Sequence, residues 1–189
     1  DADGDGYNGA SRVWDQWTCN MAAANGQLAC LEFAFNRHCP FSNVGLNQAA
    51  RNGHYVCVEF MLTQNVKDVF WRRTESKACS HAAMGGHIRI LQLLREYRLP
   101  WGRETTEASA QNGHLDCLCW LIEQGCPHEF EYCFYEAAIN GHVNVLRWIA
   151  SEWSPNPNQV EHEYFHPELL EEVAGNGPKT IPVLELAKE

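Results

Sequence analysis

The chain has 189 residues, 45% of them hydrophobic, and a formal net charge of −10. So acidic a balance argues against nucleic-acid binding, and no apolar run approaches the roughly 18 residues that a membrane span needs. Residues 1–13 form an acidic, glycine-rich lead in which a disordered segment is expected. Asp1, Asp3, Asp5 and Gly6 match the opening of a calcium loop, but the place of its closing bidentate glutamate is held by the cation Arg12. The lead is therefore read as a solvated arm, and the lack of an initiating methionine as the mark of a piece excised from a longer chain.

From residue 14 to residue 153 one frame recurs. Small residues and a glycine stand together in Ala22-Ala23-Ala24-Asn25-Gly26, Ala49-Ala50-Arg51-Asn52-Gly53, Ala82-Ala83-Met84-Gly85-Gly86, Ser109-Ala110-Gln111-Asn112-Gly113 and Ala137-Ala138-Ile139-Asn140-Gly141. The glycines step by 27, 33, 27 and 28 residues, the mark of stacked supersecondary units. Four places past the glycine come Cys30, Cys57, Ile90, Cys117 and Val145, and five past come Leu31, Val58, Leu91, Leu118 and Leu146. Eight past come Ala34, Met61, Leu94, Leu121 and Ile149, so these offsets form one apolar face of a second helix. The alanine pair before the glycine has no bulk and lets first helices lie close together. The glycine is expected to end the first helix in a left-handed conformation. One such unit cannot bury its own stripe, so stability must come from its neighbours.

The Ala-Ala-x-Asn-Gly-His core around Gly141, with Ser109 for the first alanine around Gly113, resembles the ankyrin repeat, a helix-turn-helix unit whose longer form adds a β-hairpin. The resemblance implies an all-α, ankyrin-like solenoid of five units, with glycines at 26, 53, 86, 113 and 141, and at most one β-hairpin, near residues 66–74. In the steps of 27 and 28 residues, Cys39-Pro40-Phe41, Leu99-Pro100-Trp101 and Cys126-Pro127-His128 take the hairpin's place. The usual Thr-Pro-Leu-His start is missing, with Thr18-Cys19 and Thr105-Thr106 near its position.

The nine cysteines are distributed by the repeat and read as small core residues with no disulfide or zinc site, and the recurring ones, Cys30, Cys57 and Cys117 at one offset and Cys39 and Cys126 before proline, are expected to be buried and reduced. His54, His87, His114 and His142 each follow a repeat glycine, where a ring is expected to hydrogen-bond the adjacent turn. Trp101 is in frame with Trp14 and Phe41 and is read as loop packing.

Residues 154–168 read as a proline-rich acidic linker and 169–189 as a degenerate terminal repeat. Within the linker, His162-Glu163-Tyr164-Phe165-His166 matches the His-Glu-x-x-His pattern of zinc peptidases. Pro167 directly after the second histidine disfavours helical geometry there, so the motif is read as coincidence. A zinc-dependent hydrolase using it, or a targeting module of a larger enzyme, are the alternatives to the main expectation.

That expectation, implied by the resemblance, is a non-catalytic protein-binding scaffold, cytoplasmic and monomeric, with no metal and no cofactor. Residues recurring in every unit hold the fold, so binding residues are sought among exposed ones that do not recur. Seven basic residues between Arg72 and Arg103, against Glu75 and Glu96, leave that stretch at +5 and the remainder at −15. Trp71, Arg72 and Arg73 on the long loop, Arg103 after the Pro-Trp turn, and His81 and Tyr135 on first helices are the candidate partner-binding residues. An acidic partner segment is the expected complement.

Overall fold

The computed structural model describes residues 15–64 and 77–152. The lead, the expected hairpin, the linker with its His-Glu-x-x-His motif and the terminal repeat lie outside the described residues. Within them are ten α-helices and no strand: α1 (Gln16–Ala24), α2 (Leu28–Phe35), α3 (Asn43–Arg51), α4 (Tyr55–Gln64), α5 (Ala78–Met84), α6 (Ile88–Glu96), α7 (Arg103–Gln111), α8 (Leu115–Glu123), α9 (Phe130–Ile139) and α10 (Val143–Glu152). They form five antiparallel pairs, one for each repeat.

Local chemistry sets where the helices start and stop. Asp15 caps α1, accepting a hydrogen bond on Oδ1 from the Thr18 amide at 3.0 Å. At the other end of the first helices, Gly26, Gly53, Gly86, Gly113 and Gly141 all have φ between 70° and 82°, as the sequence led one to expect. The next amide then reaches back to close a Schellman turn, His114 N–H to the Ser109 carbonyl at 3.0 Å and His142 N–H to Ala137 at 2.9 Å. The asparagine before the glycine has its own task. Asn25, Asn112 and Asn140 each donate from Nδ2 to the carbonyl four residues back, at 2.8 to 2.9 Å, and so fold the side chain onto the last turn of the helix.

The second helices end by the same device without always using glycine. His38, Arg98 and Gly125 stand at equivalent places with φ of 63°, 59° and 75°. After each comes the apolar residue and the proline of the short connection, and Cys39, Leu99 and Cys126 donate their amides to Ala34, Leu94 and Leu121. The two loop cysteines then tie each unit's end to its start: Cys39 Sγ donates to the Asp15 carbonyl at 2.7 Å and Cys126 Sγ to the Gly102 carbonyl at 3.5 Å.

First helices stack on first helices in the order α1, α3, α5, α7, α9, and each carries its second helix on the outer side. The alanine pairs make this approach possible, for Ala23, Ala49, Ala50, Ala82, Ala83 and Ala137 have no exposed surface. Every residue at the fifth and eighth places past the glycine is buried. Phe41 stacks on Phe35 with centroids 4.9 Å apart, and Trp101 meets Trp120 edge-on at 6.1 Å beneath the Arg95 guanidinium, so these aromatics pack the connections.

The cysteine expectation needs one correction. Cys57 and Cys117 are buried, but Cys30, at the same offset, is exposed. That helix face packs against the preceding repeat, as Cys57 does beside Glu32 of α2. For Cys30 no preceding helix pair exists among the described residues. Burial belongs to the repeat seam, and the residue type follows only where a seam exists.

Candidate partner-binding surface

Five helix pairs held in register leave two kinds of position on the surface: those that join one repeat to the next and those that face outward. The histidines after the glycines belong to the first kind. His87 Nε2 lies 3.0 Å from the Arg51 carbonyl, His114 Nε2 3.0 Å from Met84 and His142 Nε2 2.9 Å from Gln111. In each case the acceptor stands two residues before the preceding repeat's glycine, and the ring lies over that glycine, where a Cβ would collide with it. At the first seam His54 lies over Gly26, and Asn52 Nδ2 takes the equivalent carbonyl of Ala24 at 2.8 Å. These rings are fastenings between units, as the sequence reading held. Among the described residues no group of three or more His, Cys, Asp or Glu side chains is placed to hold a metal ion.

The second kind of position is clearest nine residues before each glycine, in or beside the first turn of every first helix. Trp17, Val44, Lys77, Glu104 and Tyr132 stand there, and all five are exposed, Trp17 at 64%, Val44 at 55% and Tyr132 at 48%. One place further on, the helix faces inward: Gly45, Ala78, Thr105 and Cys133 are buried and Thr18 is half-buried. The column is thus the outward edge of a layer whose inner edge is fixed. Its residues change from aromatic and aliphatic to cationic, anionic and aromatic across the five units.

Of the six candidate residues from the sequence, Trp71, Arg72 and Arg73 lie outside the described residues. The other three sit on different helices. His81, half-buried on α5, has Nδ1 3.0 Å from the Lys77 carbonyl of its own first turn. Tyr135 is half-buried on α9. Arg103 is exposed, but its charge is met within the protein: Nη1 lies 2.6 Å from Glu129 Oε1 and Nε lies 3.1 Å from Glu107 Oε1. Its guanidinium also covers the Tyr132 ring, 5.0 Å from the centroid, so Arg103 links the fourth repeat to the fifth. The other described cations of the positive stretch are divided. Arg95 and Arg89 lie over the rings of Trp101 and Tyr55, whereas Lys77 and Arg98 are exposed.

Sequence reasoning missed the column itself. Its signal is readable by laying the five frames beneath one another, since residue class changes there while the next place keeps to small residues, Thr18, Gly45, Ala78, Thr105 and Cys133. No helix among the described residues is long and apolar enough to cross a membrane.

The sequence signature of ankyrin repeats, as a run of three copies, matches residues 46–132. Among solved structures, the crystal structure of the human ASB11 ankyrin repeat domain is similar to this chain with a TM-score of 0.57 and 15% sequence identity, covering 85% of this chain and 83% of that one. At that identity the likeness speaks for the fold alone. No curated protein matches the sequence.

Proposed function

Because this chain carries an array of ankyrin repeats, modules that in general bind other proteins, we propose that it is a non-catalytic scaffold holding a protein partner on the outward edge of its first helices and on its loop tips. The column of Trp17, Val44, Lys77, Glu104 and Tyr132 carries this reading, for it joins exposure with varied chemistry on a frame that is otherwise repeated. A fixed scaffold with one exposed side chain per unit can acquire specificity without altering its core. Trp71, Arg72, Arg73 and Arg103 contribute the loop side of the contact, and His81 and Tyr135 its helix side. A partner segment with acidic residues suits the positive stretch, since complementary potentials raise the encounter rate and reject wrong partners. The scaffold acts as a monomer in a reducing compartment, the cytoplasm, and its nine cysteines, none of them in a disulfide, favour that setting.

The test is affinity capture from a cytosolic extract followed by measured binding of the retained protein. Trp71→Ala and Arg72→Glu are expected to weaken it by about 1 to 3 kcal/mol each, the second with reduced salt sensitivity. A chain that retains no protein specifically, or that hydrolyses a peptide substrate, overturns the scaffold reading.

A further inference from the structure

We propose that the column on the first helices is a docking track for an extended, polyproline-II-like segment of the partner that presents, at successive intervals of three residues, two apolar side chains, an acid and a base. The inference rests on the scaffold reading and gives the partner's chemistry at that site. Trp17 and Val44 occupy the same place on adjacent helices, and both are more than half exposed. Next in line, Lys77 and Glu104 are exposed. The ion pairs found among the described residues join Arg103 to Glu107 and Glu129, which leaves Lys77 and Glu104 without a charged partner there. The order along the track is therefore apolar, apolar, cation, anion, and the complement is apolar, apolar, acid, base.

The spacing follows from packing. Neighbouring helices with small contact residues lie about 8–10 Å apart. A polyproline II chain has three residues per turn and rises about 3.1 Å per residue, so every third side chain returns to the same face after about 9 Å. A β-strand fails this match, because residues three apart point to opposite faces. The aromatic ring at the head of the track, Trp17, suits a conformer of this kind, which aromatic-lined grooves accept at low entropic cost. The period holds for either direction of the bound segment.

The probe is a displayed library of random 14-residue peptides, half of them enriched in proline, selected on the full chain and on two variants. On the wild type, enriched peptides are expected to carry two apolar residues, an acid and a base spaced by three. Selected on the double variant Lys77→Glu with Glu104→Lys, the order of acid and base inverts. Wild-type peptides should bind that double variant more weakly, on the order of tenfold. Trp17→Ala with Val44→Asp should abolish enrichment of the apolar pair, while thermal melts show all variants folded, since all four positions are exposed. Peptides whose acid and base show no period of three, peptides indifferent to the charge swap, or no enrichment at all overturn the docking track. A protein captured from extract that still binds the double variant unchanged leaves the scaffold reading intact and removes this one alone.

Discussion

His142 reaches across a repeat boundary to the Gln111 carbonyl at 2.9 Å, thirty-one residues earlier in the chain. The bond leaves no doubt which face of each imidazole is structural, for His87 and His114 do the same at the preceding seams. The acceptors are carbonyls at helix ends, where the helix itself supplies no donor.

His114→Ala should therefore destabilise the array by about 1 to 2 kcal/mol, the range for a lost hydrogen bond with one partner left unmet. His54→Ala should cost less, because Asn52 already satisfies the equivalent carbonyl at that seam. Urea unfolding of the two variants checks the order. Equal losses would mean that the rings act only by packing.

Glycine replacements should separate strain from collision. Gly125 has φ of 75° with nothing within 4 Å of an added Cβ, whereas Gly86 has φ of 70° and an added Cβ would lie 2.8 Å from the His114 ring. Gly125→Ala should cost about 1 kcal/mol from the left-handed backbone alone. Gly86→Ala should cost clearly more, because the ring must move and the Met84 carbonyl bond with it. Arg98→Gly, at φ 59°, should raise stability by on the order of 1 kcal/mol, again read by denaturant melts.

The repeat order was legible because a helix pair that cannot bury its stripe alone must carry the same stripe in each copy. Leu31, Val58, Leu91, Leu118 and Leu146 are read from the sequence for that reason, and all five are fully buried. What depends on a neighbour was not legible. Cys30 has the right residue at the right offset and remains exposed, since among the described residues no helix pair lies on its open side. Of the two partners of Arg103, Glu107 stands one helical turn on and is legible, but Glu129 stands twenty-six residues later and is brought near only when the fourth and fifth repeats stack. The outward column is hidden from a sum of charge along the chain, because exposure is decided across the stack.

Thiol chemistry should report the seams directly. Burial pushes the Cys79 thiol up to about 12 and is the largest cause of the same shift at Cys126, while Cys133 is raised to about 11. Iodoacetamide at pH 8 should label Cys30 in the folded chain and spare Cys57, Cys79 and Cys117 until urea is added, as peptide mass mapping would show. Labelling of Cys79 as fast as Cys30 would contradict the packing.

The same shifts set an alkaline limit. A folded-state thiol raised above its unfolded value of 9.0 keeps its stabilising contribution in full below that pH. The contribution is then lost as pH climbs toward about 12, at on the order of 1 kcal/mol per pH unit for each such thiol. The stability of Cys79→Ala should accordingly fall less steeply than the wild type's between pH 9 and 11. Parallel slopes would show that Cys79 is ionised with equal ease in both states.

The seam bond has a consequence for inheritance. Since His87, His114 and His142 each meet an acceptor two places before the previous glycine, the units they open fit behind one another. Excising residues 87–113, one period of 27, would set His114 on the Arg51 carbonyl and His142 on that of Met84. Both bonds would be of the kind already present. A slip of the copying machinery by one whole period therefore yields a shorter or longer chain whose joints are all sound, and length can drift through descent while each joint stays under selection.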